Sequence, residues 1–68
     1  MIKFEIDSSI EGAEVYLDIE GVNELIGYLN YIKSKNEHMH LLAGNELNED
    51  KSLQGNKVVK HVKLMLLS

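Results

Sequence analysis

The sequence contains no cysteine, no proline and no tryptophan, and aromatic residues make up only 6% of its 68 positions. Without cysteine the chain cannot form disulfides or thiolate zinc sites, and this composition fits a reducing compartment. No apolar run approaches the roughly 20 residues of a membrane-spanning helix. The start of the chain alternates charged and apolar residues, unlike a signal peptide. We therefore expect a cytoplasmic protein with no membrane partner.

Linkers, internal repeats and low-complexity segments are also missing from the sequence. A chain of this length has room for one modest core and buries only about 60% of its unfolded surface. We predict a single α+β domain over residues 1–68. Because its stability margin is thin, binding to a second copy or to another protein would relieve a deficit.

The charge is acidic overall and unevenly distributed. The formal net charge is −4, and residues 1–34 carry seven acids and two lysines (−5) whereas residues 35–68 carry four acids and five lysines (+1). This balance argues against nucleic acid as a partner, because binding to phosphate requires basic surfaces. The acidic first half is suited to a basic protein partner, although such charge also serves solubility alone.

Apolar residues first alternate with polar ones and then change to helical spacing. Alternation on both sides of the turn-forming segment 8–12 predicts an antiparallel hairpin. The residues expected to face inward are Ile2, Phe4, Ile6, Ala13, Val15, Leu17 and Ile19. The three-and-four spacing of Val22, Leu25, Ile26, Leu29 and Ile32 then predicts one face of a helix. Asn36 is suited to end that helix in the left-handed conformation.

Two further strands are predicted, over residues 37–43 and 57–67, with a long polar loop over 44–56 between them. The order ββαββ predicts a four-stranded, mainly antiparallel sheet with one helix packed on one face. We expect the first and third strands to be neighbours. Lys60 interrupts the inward pattern of the last strand, which indicates a bulge or a break there.

One helix covers one face of a sheet, so the opposite face is left to water or to a partner, and we expect function there. His38 and His40 share that face because strand side chains alternate, and His61 joins them if the last strand pairs beside the third. The apolar residues expected among these histidines are Tyr16, Leu42, Met65 and Leu67.

Three interpretations of the histidines stay open: a zinc site, a pH-sensitive contact with a partner, and ordinary polar residues on a half-wet sheet. The loop 44–50 lacks the ligand spacing of an EF-hand. No nucleophile motif is present, and one helix on one sheet rarely encloses a catalytic pocket. We expect neither enzyme activity nor a cofactor.

Two segments together resemble the immunity protein 32 family of bacterial polymorphic-toxin systems. The first is the helix start Glu20-Gly21-Val22-Asn23-Glu24-Leu25-Ile26 after an amphipathic hairpin. The second is His38-Met39-His40-Leu41, followed by Gly44-Asn45-Glu46-Leu47 and a final hydrophobic strand. The resemblance spans most of the chain. Family members typically carry an aromatic residue, often tryptophan, just before the glycine of the second segment, where this chain has Leu42-Ala43.

The resemblance implies a small α+β protein that binds and neutralises a cognate toxin in the cytoplasm of the producing cell, without enzyme activity. The residues that match the family pattern are His38, His40, Gly44, Glu46 and Leu47. The candidate partner-binding residues are His38, His40, Asn45, Glu46 and His61, with Tyr31 on the helix. Two alternatives remain, a homodimeric structural or adaptor domain and a metal-binding domain that uses His38, His40 and His61.

Overall fold

A computed structural model describes residues 1–67. The elements in chain order are β1 (Ile2–Asp7), a 3-10 turn (Ser8–Ile10), β2 (Gly12–Leu17), α1 (Ile19–Lys35), β3 (Met39–Leu42), β4 (Lys57–Val58) and β5 (His61–Leu64). The predicted α+β class is confirmed, with one helix and antiparallel strands, although the predicted last strand is divided in two. In residues 1–67, no helix has the length and apolar character needed to cross a membrane.

The strands form a three-stranded sheet of order β2-β1-β4 and a two-stranded sheet of β3 and β5. The expected pairing of the first and third strands is therefore wrong, because β4 and β5 lie between them. The segment 57–64 joins the sheets: Val59 N–H donates to the Phe4 carbonyl (2.9 Å), and the Lys60 carbonyl accepts from Ala43 N–H (2.9 Å). The strand breaks at Lys60, where the sequence pattern breaks.

The ends of α1 follow from its capping residues. Asp18 is the N-cap, and its carboxylate accepts from Gly21 N–H at 2.7 Å. Asn36 ends the helix at φ 52°, in the left-handed conformation predicted for it. Lys33 and Lys35 lie in the last turn, where their positive charges interact favourably with the negative end of the helix dipole.

The core is small and lies between α1, the two-stranded sheet and the start of β1. Ile2, Leu41 and Leu47 form its buried centre. The partly buried residues that pack around this centre are Phe4, Leu25, Tyr28, Met39, Val62 and Leu64. The loop residue Leu47 was not among the residues expected to face inward.

The apolar stripe of the helix is wider than its buried face. Leu25 and Ile32 are inward as predicted, but Val22, Ile26 and Leu29 are each more than one third exposed. At 100° per residue, these three residues are centred about 100° around the helix axis from the buried residues. Few residues of α1 lie close to β1 or β2, so the side of the helix that carries these three residues packs against little of the chain.

The burial of the hairpin residues matches the expectation only at the start of β1, where Ile2 is buried and Phe4 packs against the core. Lys3 and Glu5 are buried, whereas Val15 and Leu17 are exposed. The reason is the segment 48–56, which packs over the polar face of β1 and β2 and removes it from water. Half of the sheet face expected to be bare is therefore covered by the chain itself.

Hydrogen bonds hold this covering segment in place. The Lys3 ammonium donates to the Asp50 carbonyl, and the Glu5 carboxylate accepts from Ser52 Oγ and Leu53 N–H, both at 2.7 Å. Burial alone would raise the pKa of the Glu5 carboxyl, but these hydrogen bonds and the nearby Lys3 charge lower it. In residues 1–67 every buried side-chain nitrogen or oxygen has a hydrogen-bond partner, so the cover leaves no polar group unsatisfied.

Candidate functional site

The exposed sheet face lies on β3 and β5, and it carries the histidines as predicted. The register pairs His40 with Lys63 and Leu42 with His61. These four side chains share the outer face because side chains alternate along each strand, while Leu41 on the opposite face is buried in the core. We call this surface, together with the adjacent His38, the histidine face.

Two of the histidines are in direct contact across the strands. His40 Nδ1 and His61 Nε2 are 2.7 Å apart, a hydrogen bond in which one imidazole donates and the other accepts. The His38 ring lies edge-on to His40, with 5.0 Å between the ring centroids. The contact requires a neutral nitrogen as acceptor, so it is made when at least one ring of the pair is unprotonated.

The His40 ring is harder to protonate than a free imidazole. Partial desolvation lowers the pKa of His40 below its ordinary value of 6.5, and the neighbouring His61, His38 and Lys63 lower it further by like-charge repulsion. The lowered pKa of His40 favours its neutral form, in which the ring can both donate and accept hydrogen bonds. The ammonium group of Lys63 lies on the same face.

The loop after β3 is held tightly beside the histidine face. Its first turn places Gly44 at φ 80°, a conformation that favours glycine. The Glu46 carboxylate accepts from Leu42 N–H at 3.0 Å, and this bond lowers the pKa of Glu46. Glu46 is thus part of the scaffold of the loop. Asn45 lies at the exposed tip of the turn.

An open, acidic depression of about 320 Å³ adjoins this loop. Its lining residues are Met1, Glu24, Gly44, Asn45, Glu46, Leu47, Asn48, Glu49 and Asp50. Four carboxylates line it against one ammonium, that of Met1, which lies 3.8 Å from Glu24. The balance is acidic and suits a lysine or arginine side chain of a partner. Asn45 and Glu46, two of the predicted site residues, lie at its edge.

Two other residues singled out in the sequence, Tyr31 and Tyr16, bond to carboxylates rather than to the histidines. Tyr31 is exposed on the last part of the helix, where its hydroxyl donates to Glu37 at 3.2 Å. Tyr16 does not lie among the histidines, which corrects the expectation. Its hydroxyl donates to Glu14 at 2.6 Å on the covered face, and this hydrogen bond is the main reason that its pKa is raised to about 12.

Met65 and Leu67, also expected near the histidines, follow the end of β5 and are exposed. In the described part of the chain, no three His, Asp or Glu side chains are arranged so that they could hold a metal ion. His40 and His61 bond to each other instead.

Sequence reasoning missed a groove of about 630 Å³ at the break between β4 and β5. Its lining residues are Ile6, Lys57, Val58, Val59, Lys60 and His61. The interruption at Lys60 was the available signal, because a break in a strand opens space between its two halves. The groove connects the histidine face to the apolar residues of the hairpin.

Comparison with known proteins adds no relative. No protein-family model matches the chain, and the searches of curated proteins and of solved structures return no match.

Proposed function

We propose that this chain is a non-catalytic binding protein of the cytoplasm that neutralises a cognate protein toxin by covering a functional surface of the toxin. The observation that carries the proposal is the exposed cluster of His38, His40 and His61 beside the loop tip. His38, His40 and Glu46 match the pattern of the immunity proteins that the chain resembles, and strand periodicity adds His61 to the same face.

The chemistry of the histidine face suits a protein partner. Imidazole rings offer flat polar surfaces for hydrogen bonding, and the exposed Leu42 supplies an apolar contact beside them. The hydrogen bond between His40 and His61 fixes two ring orientations before binding, which reduces the entropy lost in the complex. A catalytic role would require substrate to be enclosed, whereas these rings stand on an open sheet.

The acidic depression supplies the electrostatic part of the proposal. Glu24 on α1 and Glu46, Glu49 and Asp50 on the loop line the depression, and complementary charge increases the rate of encounter with a basic partner. A toxin that acts on nucleic acid has such a basic surface around its active site. The acidic rim would then occupy the groove that normally takes phosphate.

Co-expression with the product of a neighbouring toxin gene tests the proposal. We expect rescue of growth and a stoichiometric complex, and we expect His40→Ala or His61→Ala to weaken binding on the order of 10- to 100-fold, as for central interface residues. Lys35→Ala, at the exposed end of the helix, is the matched control and should bind normally. Absence of any complex and of any rescue would remove the support for a toxin partner.

A further inference from the structure

A second apolar surface, on the hairpin and α1, is only partly covered by residues 1–67. It consists of Ile6, Val15 and Leu17 on the hairpin and Val22, Ile26 and Leu29 on α1, and we call it the apolar flank. Each of these side chains is between 37% and 51% exposed. The register places Ile6, Val15 and Leu17 on one sheet face, and Leu17 immediately precedes the helix cap at Asp18.

The apolar flank lies away from the loop and its acidic depression. Glu24, on the other flank of the helix, lines that depression with residues 44–50. Val22 and Ile26 project from the helix roughly 160° or more away from Glu24, at 100° per residue. A partner on the helical part of the apolar flank therefore leaves the acidic rim free, whereas Ile6, on the hairpin part of the flank, lines the same groove as His61.

The exposed surface and the radius of gyration are both larger than expected for a compact chain of this mass. A folded monomer of 7.7 kDa exposes about 4,300 Å², but this chain exposes 4931 Å². The excess is about 600 Å², and the half-exposed side chains of the apolar flank contribute to it together with apolar residues elsewhere, such as Ile19 and Leu67. The radius of gyration is 12.5 Å, against about 11 Å for a compact domain of this length.

The outer edge of β2 adjoins the flank and determines the kind of partner. In the order β2-β1-β4, β2 is an edge strand, so one of its sides has no strand partner in the described chain. Exposed edge strands pair readily with a strand of another chain. A two-fold axis through Val15 would set Val15 against its own copy, Ala13 against the partner's Leu17, and Glu14 against the partner's Tyr16.

The charges along β2 favour this register. An axis through Glu14 would place two carboxylates directly opposite each other, which is destabilising. The axis through Val15 avoids that repulsion, and it places Glu14 opposite a Tyr16 whose hydroxyl already donates to Glu14 of its own chain. We propose that the apolar flank and the β2 edge bind a second copy of this chain, to give a two-fold dimer with a continuous sheet. The dimer would bury apolar side chains that one chain alone leaves in water.

Sedimentation of the full chain at low and high micromolar concentrations tests the dimer. We expect twice the 7.7 kDa chain mass and slowed hydrogen exchange at amides of β2. Val15→Lys, on the strand edge, and Ile26→Glu, on the helix, should each raise the dimer dissociation constant on the order of 100-fold. Leu53→Lys, at an exposed apolar site on the covering segment, is the matched control and should leave the dimer intact.

Circular dichroism of each variant establishes that the fold is kept, since the substituted side chains are half exposed. Two results would overturn the inference: a chain that is monomeric at every concentration, or a dimer whose dissociation constant changes with neither Val15→Lys nor Ile26→Glu. The inference is independent of the toxin proposal: monomeric Val15→Lys should still bind toxin, and loss of toxin binding in His40→Ala should leave the dimer unchanged. A chain that is monomeric alone and uses the apolar flank for toxin would also refute it.

Discussion

Two glycines of the same helix should respond in opposite directions to the same substitution. Gly21 is buried in the first turn of α1, and a Cβ built there would lie 1.9 Å from the Met1 carbonyl oxygen. Gly27 is exposed, and a Cβ there meets nothing within 4 Å. Alanine is favoured over glycine by about 1 kcal/mol inside a helix, so Gly27→Ala should stabilise the protein by about that amount.

Gly21→Ala brings the same propensity gain together with a collision. Relief of the clash requires the backbone at Met1 to move by about 1.5 Å to reach ordinary contact near 3.4 Å. That carbonyl accepts from Asp18 N–H, and the next residue, Ile2, is fully buried in the core, so the movement is resisted. Overpacking of this kind costs about 1–3 kcal/mol.

Because the propensity gain is common to both variants, their difference isolates the collision. We expect Gly21→Ala to be less stable than Gly27→Ala by about 1–3 kcal/mol, or by about 4–24 °C in melting temperature for a domain of this size. Urea unfolding followed by far-UV circular dichroism, at one fixed protein concentration, measures both. If Gly21→Ala equals or exceeds Gly27→Ala in stability, the close approach of the first strand to the helix start is not present in solution.

Three further predictions concern the covering segment and the histidine face. Leu47→Ala should cost about 2–5 kcal/mol in urea unfolding, as for a buried core leucine, whereas Leu53→Ala at an exposed site should cost little; equal effects would show that the loop is not part of the core. Because the pKa of Glu5 is lower in the folded chain, its contribution to stability is present above its ordinary value of 4.5 and is lost as pH falls through the folded pKa. Glu5→Gln should flatten that acid limb of the stability curve, and an unchanged limb would contradict the network. For His40 the unfolded chain binds the proton more readily, so stability falls as pH drops below about 6.5; NMR titration should give a His40 pKa below that of a free imidazole, and a raised value would contradict the like-charge cluster.

Much of the local structure follows from the sequence. The alternation of β1 and β2, the helical spacing after Asp18 and the left-handed cap at Asn36 depend on neighbouring residues, so they are readable from the chain. The outward placement of His40 and His61 also follows, because a period of two decides which side chains share a face.

The lateral arrangement of the strands could not be read in the same way. Alternation separates two faces but does not say which face is buried, and a distant segment decides that for Lys3 and Glu5. The donors that cover Glu5 come from Ser52 and Leu53, 47 and 48 residues along the chain. The strand order likewise depends on where residues 57–64 insert, which no local pattern records.

The covering segment has no regular secondary structure, yet its hydrogen bonds to the hairpin constrain its length as strongly as packing constrains a core. Surface loops commonly accept added residues, but here Ser52 and Asn56 are each anchored to the hairpin, by bonds of 2.7 Å to Glu5 and 3.0 Å to Glu14. Between these anchors, Gly55 sits at φ 76° with open space around it. The backbone N–H groups of Gln54 and Asn56 also donate to Ser52 Oγ, at 3.2 and 2.7 Å. Added residues anywhere from Ser52 to Asn56 should therefore disturb these bonds, so this stretch should resist insertions that an ordinary surface loop accepts.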